Sequence, residues 1–309
     1  MKPLISYYGG KQRMASYILP LLPPHTVYAE PFAGGAAVFW AKGRPVAGNN
    51  DHYREALNDT NKALLALYRV GVSRPGDLLA MLDATPYSMA EYEQAWQIYN
   101  DPDADELDLA WAVYVQAQMS FSNKIGAGWR RGVFSQNLAV TWENRKGRLC
   151  RQLDRLRGVH LDCVDALDFI KLWDSPYTLF YCDPPYPGAH QGHYSGYTPG
   201  DFDALVEVLD NCQGSFVLSN YDQPGVPDHW RRVEIEAVMS AANGRNRETQ
   251  SRTEVLWIMD RSGNVREDIR PLLQQWTPNG WRLANELARP LRLFESIEAA
   301  GVVEPPKGE

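Results

Sequence analysis

Asp183-Pro184-Pro185-Tyr186 follows directly on the apolar run 178–182, which sets a carboxylate, two prolines and an aromatic ring at the tip of a strand. These residue types suit a planar nitrogen base. The exocyclic amine of a nucleobase is a poor nucleophile, because its lone pair is delocalised into the ring. Methylating it calls for two acceptors aimed at its two hydrogens, drawing the nitrogen toward tetrahedral geometry. The Asp183 carboxylate supplies one acceptor and the Pro184 carbonyl the other, since proline lacks an N–H but keeps a free C=O. The Pro184-Pro185 step stiffens the turn and fixes both acceptors before a base arrives. Tyr186 can stack on the base face, a contact of about 1–3 kcal/mol for one base. Transfer from a sulfonium donor would then run in line, with no covalent enzyme intermediate and no strong general base. A bare Pro-Pro-Tyr is more often a plain turn after a buried strand, so the preceding acid and the rest of the chain must decide.

Three stretches upstream decide it: Tyr7-Tyr8-Gly9-Gly10-Lys11, Ala29-Glu30-Pro31-Phe32-Ala33-Gly34-Gly35 and Leu57-Asn58-Asp59-Thr60-Asn61. Together with Phe180-Tyr181-Cys182-Asp183-Pro184-Pro185-Tyr186 they resemble, in the same order, four elements of the Dam-like (alpha-class) DNA adenine N6-methyltransferases. Those elements are aromatic-x-Gly-Gly-Lys, Glu-Pro-Phe-x-Gly-Gly, Asn-Asp-x-Asn and the catalytic Asp-Pro-Pro-Tyr. The resemblance spans 7–186, continues more weakly through 217–221 and Asn243-Gly244, and fades beyond residue 260. It implies transfer of a methyl group from S-adenosylmethionine to the exocyclic amine of a flipped-out adenine in a short, specific double-stranded DNA sequence. The setting it implies is restriction-modification, phage-type or epigenetic methylation. Asp183, Pro184, Pro185 and Tyr186 would be catalytic. Tyr7, Gly10, Lys11, Glu30, Pro31, Phe32, Gly34, Gly35, Asp59, Asp165 and Asp183 would line the cofactor site, with the Gly-Gly-Lys element at the methionine end and Asp165 meeting the adenine.

Each stretch also has a reading of its own. Residues 27–31 begin as a short strand, and the glycines after it let backbone approach a bulky ligand. Doubly wound sheets place ligands at such carboxyl strand ends. The pattern is not G-x-G-x-x-G, so a dinucleotide pyrophosphate site is not indicated. Glu30, an acid at a strand end, suits the ammonium or sulfonium of a cationic donor. Asp59 ends a second strand, where an acid commonly accepts ribose hydroxyls; it equally suits the N-cap of a helix starting at Lys62. Lys11 opens an apolar-periodic stretch, 14–22, and reads equally well as a solvated lysine at a helix start.

The net charge of −7 argues against a nucleic-acid partner until its distribution is seen. Residues 83–108 hold eight acids and no Lys or Arg, whereas 124–157 hold nine cations against two acids. A local basic patch of that kind is the electrostatic footprint of a phosphate backbone, and it makes affinity fall steeply with salt. Arg148, Arg151 and Arg155 repeat at helical spacing, so part of the patch is a solvated helix face. Residues 122–131 combine two glycines, an aromatic and three cations, which reads as a loop or hairpin able to enter a groove. Asn123, Lys124, Trp129, Arg130, Arg131 and Asn137 are therefore candidate DNA contacts. Phe134-Ser135-Gln136-Asn137 departs from the family's pattern here, so a recognition sequence does not carry over. Tyr197, in a glycine-rich aromatic loop after Tyr186, could close over a flipped base. Asn243 and Arg245 lie in a polar turn-rich segment suited to phosphate or to disorder.

Seven strand-like runs, at 27–31, 55–58, 159–163, 178–182, 215–219, 232–237 and 254–259, alternate with helical patterns. The fold class is α/β, and with the resemblance a Rossmann-like, doubly wound, mostly parallel seven-stranded methyltransferase sheet with an inserted helical target-recognition domain. The catalytic domain would be 1–61 with 158–260, and the insertion 62–157, whose aromatics at helical spacing are core before they are stacking groups. Residues 261–309 carry Trp276, Trp281, Leu287, Leu291, Leu293 and Phe294, too many large apolar groups for a tail. This extension packs on its own sheet or buries surface in a homodimer. No 18-residue apolar run and no signal-peptide profile occur, which predicts a soluble, cytoplasmic protein with no membrane partner. Cys150, Cys163, Cys182 and Cys212 lack C-x-x-C spacing and read as reduced structural thiols. His190 and His193 form H-x-x-H without other ligand types nearby, so no metal is expected. Double-stranded DNA is the expected partner, with a cognate restriction endonuclease compatible with it. The same Pro-Pro-Tyr logic would also serve an RNA adenine or protein glutamine methyltransferase; the large basic insertion favours DNA.

Overall fold

All seven strand-like runs form strands: β1 (Val27–Glu30), β2 (Arg54–Asn58), β3 (Val159–Asp162), β4 (Thr178–Cys182), β5 (Ser215–Asn220), β6 (Arg231–Met239) and β7 (Gln250–Met259). In the computed structural model they lie in one sheet of order β3-β2-β1-β4-β5-β7-β6. The structure describes residues 1–7, 10–44, 53–132, 137–186, 196–239, 250–268, 270–278 and 280–283. Tyr8, Gly9, 133–136, His190, His193, Asn243, Arg245 and the apolar groups from Leu287 onward lie outside them. The pairs β2–β3, β1–β4 and β4–β5 are parallel, and β7 runs antiparallel to both β5 and β6. Every residue of β4 and β5 is buried, as strands covered on both faces require. The sheet is thus doubly wound and mostly parallel, as expected. No helix among the described residues is long and apolar enough to cross a membrane.

The chain divides into two compact units, one of residues 1–12, 32–44 and 55–169, the other of 13–31, 45–54 and 170–309. In the first, α2 (Ala37–Lys42) precedes β2. Five helices follow it: α3 (Lys62–Ser73), α4 (Pro75–Asp83), α5 (Met89–Tyr99), α6 (Glu106–Met119) and α7 (Leu138–Arg155). Asn61, Ser88, Asp105 and Asn137 start α3, α5, α6 and α7 by accepting backbone N–H groups, as short polar side chains do at that position. From Ala110 to Ala117 every residue of α6 is buried, the signature of a central helix, and α3 and α5 pack on it. Thr85 ties two large rings into this core, accepting Trp111 Nε1 on its hydroxyl at 2.8 Å and Trp142 Nε1 on its carbonyl at 2.9 Å.

A buried ion cluster fastens the end of α7 to β2 and α2. The Arg155 guanidinium forks onto Glu55 at 2.6 and 2.8 Å, and Lys42 Nζ donates to the same carboxylate. The Arg155 plane also lies 3.8 Å from the Phe39 ring centre. Burial pushes the Glu55 carboxyl up, but the two cations together outweigh it and hold its pKa below the usual carboxylate range.

In the second unit α1 (Ala15–Ile18) leads into β1, and α9 (Pro199–Asn211) joins β4 to β5; α8 (Ala166–Trp173) follows β3. Thr198 and Asp201 close a reciprocal capping box at the start of α9. Arg261 collects the carbonyls at its far end, donating to Leu209, Asp210 and Gly214 at 2.8–3.2 Å. Beyond β7 comes a hairpin that the sequence reading left undivided, β8 (Gln274–Thr277) and β9 (Gly280–Leu283). Gln274 exchanges two backbone hydrogen bonds with His25, at 3.0 and 2.9 Å. Trp281 meets the buried His25 ring edge-on at 5.4 Å. The described part of the extension therefore packs on its own chain, just ahead of β1.

Replacing Glu55 by Ala strands two buried cations, so unfolding in urea should show a loss of about 3–5 kcal/mol. The pH dependence has a definite sign, because a lowered folded pKa contributes stability above the unfolded value. The advantage of the wild type over Glu55→Gln should be full above the ordinary carboxylate range and should vanish as pH falls through the lowered Glu55 value.

Candidate active site

In the first unit the loop after β1 is tied down from three directions. Ala33 N–H donates to the Asn58 carbonyl and Gly34 N–H to Asp59 Oδ2, both at 2.8 Å. The buried Tyr68 hydroxyl donates to the Gly34 carbonyl at 2.7 Å. Gly34 has φ +48°, a conformation that side chains resist. A Cβ on Gly35 would stand 3.0 Å from the Tyr7 Cβ and 3.4 Å from the Ile5 carbonyl oxygen, so close approach of 5–7 to this loop demands glycine. The other Asp59 oxygen accepts Asn61 N–H at 2.8 Å.

Asp59 is thus not the N-cap of α3, one of the two roles its sequence context suggested. That cap is Asn61, whose Oδ1 accepts from Ala63 and Leu64; the two residues between Asp59 and the first helical turn put its carboxylate out of reach. Asn61 Nδ2 also reaches the hydroxyls of Tyr7 at 3.0 Å and Tyr99 at 3.4 Å. Next to it, the buried Asn58 amide clamps both backbone groups of Val164, at 3.0 and 3.1 Å. That clamp fixes the turn in which the exposed Asp165 starts α8, accepting Leu167 N–H at 2.8 Å. Lys11 is buried, Gly10 exposed and Phe32 half-buried; Gly10 N–H donates to the Tyr7 carbonyl at 3.1 Å. Asn58, Asn61 and Tyr68 escaped the sequence reading as positioning groups. Their signal was present for the asparagines, which flank Asp59 in the Asn-Asp-x-Asn string, but absent for Tyr68, an ordinary apolar-face residue of α3.

In the second unit the half-buried Asp183 leaves β4, followed by the buried Pro184. The Tyr186 hydroxyl lies 3.1 Å from Asp183 Oδ1 and 3.3 Å from Ser219 Oγ, and it also donates to Glu254 Oε1. Ser219 donates to that same Glu254 oxygen at 2.8 Å. Tyr221 sets the ring, meeting it edge-on at 4.6 Å and 76°. Burial, then the neighbouring Asp183 and Glu254, push the Tyr186 hydroxyl well above its ordinary pKa, so it stays protonated. Glu30, at the end of β1, is buried and accepts the Tyr28 hydroxyl at 2.7 Å; Pro31 beside it is buried. Ser219 and Tyr221 lie in the 217–221 stretch of weaker resemblance and, with Glu254, carried no assigned role: Ser219 is in β5, Tyr221 just after it and Glu254 in β7, far along the chain from Asp183.

The basic stretch folds back on itself in a loop closed by an isolated antiparallel Ser120–Trp129 bridge. Its backbone is anchored by Gln116 Oε1 on Gly126 N–H at 3.3 Å and by the Tyr92 hydroxyl on Gly128 N–H at 3.0 Å. Trp129 packs against Tyr87 and Tyr92, ring centres at 4.7 and 6.0 Å. The Tyr87 hydroxyl donates to the Arg130 carbonyl at 2.7 Å, and Arg145 reaches Asn123 Oδ1 at 3.5 Å. Lys124 and Arg131 are exposed, and Asn137 caps α7. Three of the nine cations of the basic stretch serve the interior: Arg155 in its ion cluster, buried Lys146 on Glu143 and Arg145 on the Gln118 carbonyl. Tyr197, half-buried, precedes α9.

The Asp-Pro-Pro-Tyr turn after β4 and the acid-tied glycine loop after β1 stand at two of the motifs that carry the family resemblance. The chain belongs to the D12 class of N6 adenine-specific DNA methyltransferases, whose family model matches residues 7–241. It is an adenine-specific DNA methyltransferase by that membership. No curated protein matches the sequence. Two solved structures of the rRNA methyltransferase aviRa from Streptomyces viridochromogenes resemble it. One, at 2.4 Å, has 12% identity over 81% of this chain and 85% of that one with a TM-score of 0.36. The other, at 1.5 Å, has 11% identity over 85% and 92% with a TM-score of 0.38.

Asp59→Ala removes the acceptor that Gly34 and Asn61 N–H share. A charged acceptor's hydrogen bond is worth about 1.5–3 kcal/mol, so amide exchange measured by NMR should speed up at those two groups by about 10–100-fold, while amides of α6 keep their protection.

Proposed function

We propose that this chain transfers a methyl group from S-adenosylmethionine to the exocyclic amine of an adenine flipped out of double-stranded DNA, within a short specific sequence. The observation that carries the reading is the Asp183-Pro184 turn at the end of β4, with Tyr186 pinned beside it by its hydroxyl and by Tyr221. The cofactor, when bound, supplies an electrophilic methyl group on a sulfonium. The residues present suit it. A carboxylate offers about four acceptor sites, more than the Gly34 and Asn61 N–H groups use on Asp59, and Asp59 directly follows β2, where ribose hydroxyls are accepted in doubly wound sheets. Glu30 is a buried acid suited to a cation. Asp165 and Phe32 complete the nucleoside side, and Tyr7, Gly10, Lys11, Gly34 and Gly35 the methionine side.

The chain's own work on the base is orientation. Asp183 and the Pro184 carbonyl accept the two amine hydrogens and raise the nitrogen's nucleophilicity, and Tyr186 receives the base face. Extrusion costs a few kcal/mol, which stacking offsets. Residues 1–61 with 158–260 form the catalytic part and 62–157 the recognition insertion. Its hairpin approaches DNA with Lys124 and Arg131 at the phosphates, because both are exposed there.

Tritiated methyl transfer to unmethylated genomic DNA, followed by nucleoside chromatography and mapping of modified adenines, tests this directly. Label in N6-methyladenine at one short motif is expected; label in RNA or protein alone would overturn the reading. Asp183→Ala should lose at least about 10²-fold in rate, the scale of one preorganised polar group, with DNA binding retained in a gel-shift titration.

A further inference from the structure

Three of the groups around the Tyr186 hydroxyl raise a hydrogen-counting problem. Asp183 Oδ1, Ser219 Oγ and Glu254 Oε1 all lie within hydrogen-bond reach of it, and Ser219 also contacts Glu254. A phenol carries one donor hydrogen. With Ser219 donating to Glu254, that hydrogen can face Glu254 or Asp183 but not both. When it faces Glu254, the Asp183–Tyr186 contact pairs two acceptor oxygens. The hydrogen that would complete this contact is one that Asp183 does not yet carry.

We propose that Glu254 is the terminus of a proton relay that clears the methylated amine, acting through the Tyr186 hydroxyl. The inference rests on the adenine-methylating reading above. The amine nitrogen gains a methyl group from the sulfonium donor, which leaves as a neutral thioether, and it then holds one hydrogen too many. Its N–H bond breaks toward the Asp183 carboxylate that already accepts that hydrogen. Asp183 passes a proton to the Tyr186 oxygen as the phenolic hydrogen moves to Glu254 Oε1. Asp183 returns to its carboxylate form, Tyr186 remains a phenol and Glu254 ends neutral, so charge balances. No strong base is needed before methyl transfer, because the nitrogen becomes acidic only as the new N–C bond forms; the N–H bond loosens in that same step, so losing the acceptor slows the transfer itself.

The surroundings suit a proton acceptor at Glu254. It is buried, at 6% exposure, with one oxygen already turned to both hydroxyls. Tyr186 and Ser219 touch it, and Tyr181 lies in the common field of Asp183, Glu254 and Glu30. Across β6 its register partner is Ile235, and the neighbouring Glu234 is paired with Arg232. The Tyr186 hydroxyl, held protonated by burial and by the two carboxylates, can pass a proton on without itself becoming an anion. Glu254 touches no substrate atom in this scheme; it positions Tyr186 and receives through it.

Glu254→Gln keeps the shape and removes the basic site, and Tyr186→Phe keeps the ring and removes the link. Single-turnover methylation of unmethylated DNA should slow in each by about 10-fold or more near neutral pH. The rate should recover as pH rises or as imidazole buffer is added, because solvent bases then take the proton. Affinities for S-adenosylhomocysteine and for DNA carrying 2-aminopurine at the target should stay within about twofold of wild type, which a loss of packing would not allow. Wild-type single-turnover rates in both variants at every pH would overturn the relay. So would a slowing indifferent to pH and buffer. Should Glu254→Gln fail to fold, as thermal unfolding would report, Tyr186→Phe decides alone. A wild type that labels no adenine at all would remove the adenine-methylating reading instead.

Discussion

Two backbone N–H groups, from Gly34 and Asn61, converge on the single carboxylate of Asp59, and much of the first unit hangs on that convergence. One comes from the glycine loop after β1, the other from the residue that starts α3. A carboxylate accepting two N–H groups is held in one orientation, so a ligand meeting its remaining lone pairs meets a fixed target. The cap residue extends the same tie, since the Asn61 amide reaches both Tyr7 and Tyr99. The N-terminal segment, the glycine loop and α5 are thereby tied to one short stretch of chain. The second unit follows a similar logic with hydroxyls, where Tyr186 and Ser219 share the buried Glu254.

What could be read in advance follows the range of the forces involved. Strand β4 was legible because five consecutive buried residues precede Asp183, and the helices because Asn61, Ser88, Asp105 and Asn137 announce their own starts through local hydrogen bonds. Motifs whose residues are neighbours in the chain, such as Asp183 to Tyr186, were equally plain. Glu254 was not, because its partnership with Tyr186 crosses 68 residues and depends on β7 lying antiparallel beside β5. No local pattern encodes which strand a third strand will pair with. Tyr68 looked like one more apolar position of α3, and only the fold turns its hydroxyl toward the Gly34 carbonyl.

Charge was the least faithful guide. The basic stretch reads as a single surface footprint, yet Lys146 and Arg155 are buried and Arg145 is half-buried against the Gln118 carbonyl of α6. Long cationic side chains have apolar stems that pack as well as heads that pair, so a count of cations overstates the field outside. Trp129 repeats the point for aromatics: it combines with Tyr87 and Tyr92 to brace the hairpin rather than standing clear of it.

The backbone exchange between His25 and Gln274 bears on how this chain is made. On the ribosome residue 25 emerges long before residue 274, and Val27 must likewise await Thr178 before β1 gains β4 beside it. Segments that appear early are therefore unable to finish their own hydrogen bonding until late synthesis supplies the other side. The local helices α3 to α7, by contrast, can form as soon as they emerge, since their caps and core partners lie close in sequence. The nascent protein is expected to present these folded helices while β1 is still open on its β4 side, a state in which chaperone engagement rather than intrinsic stability protects the exposed edge.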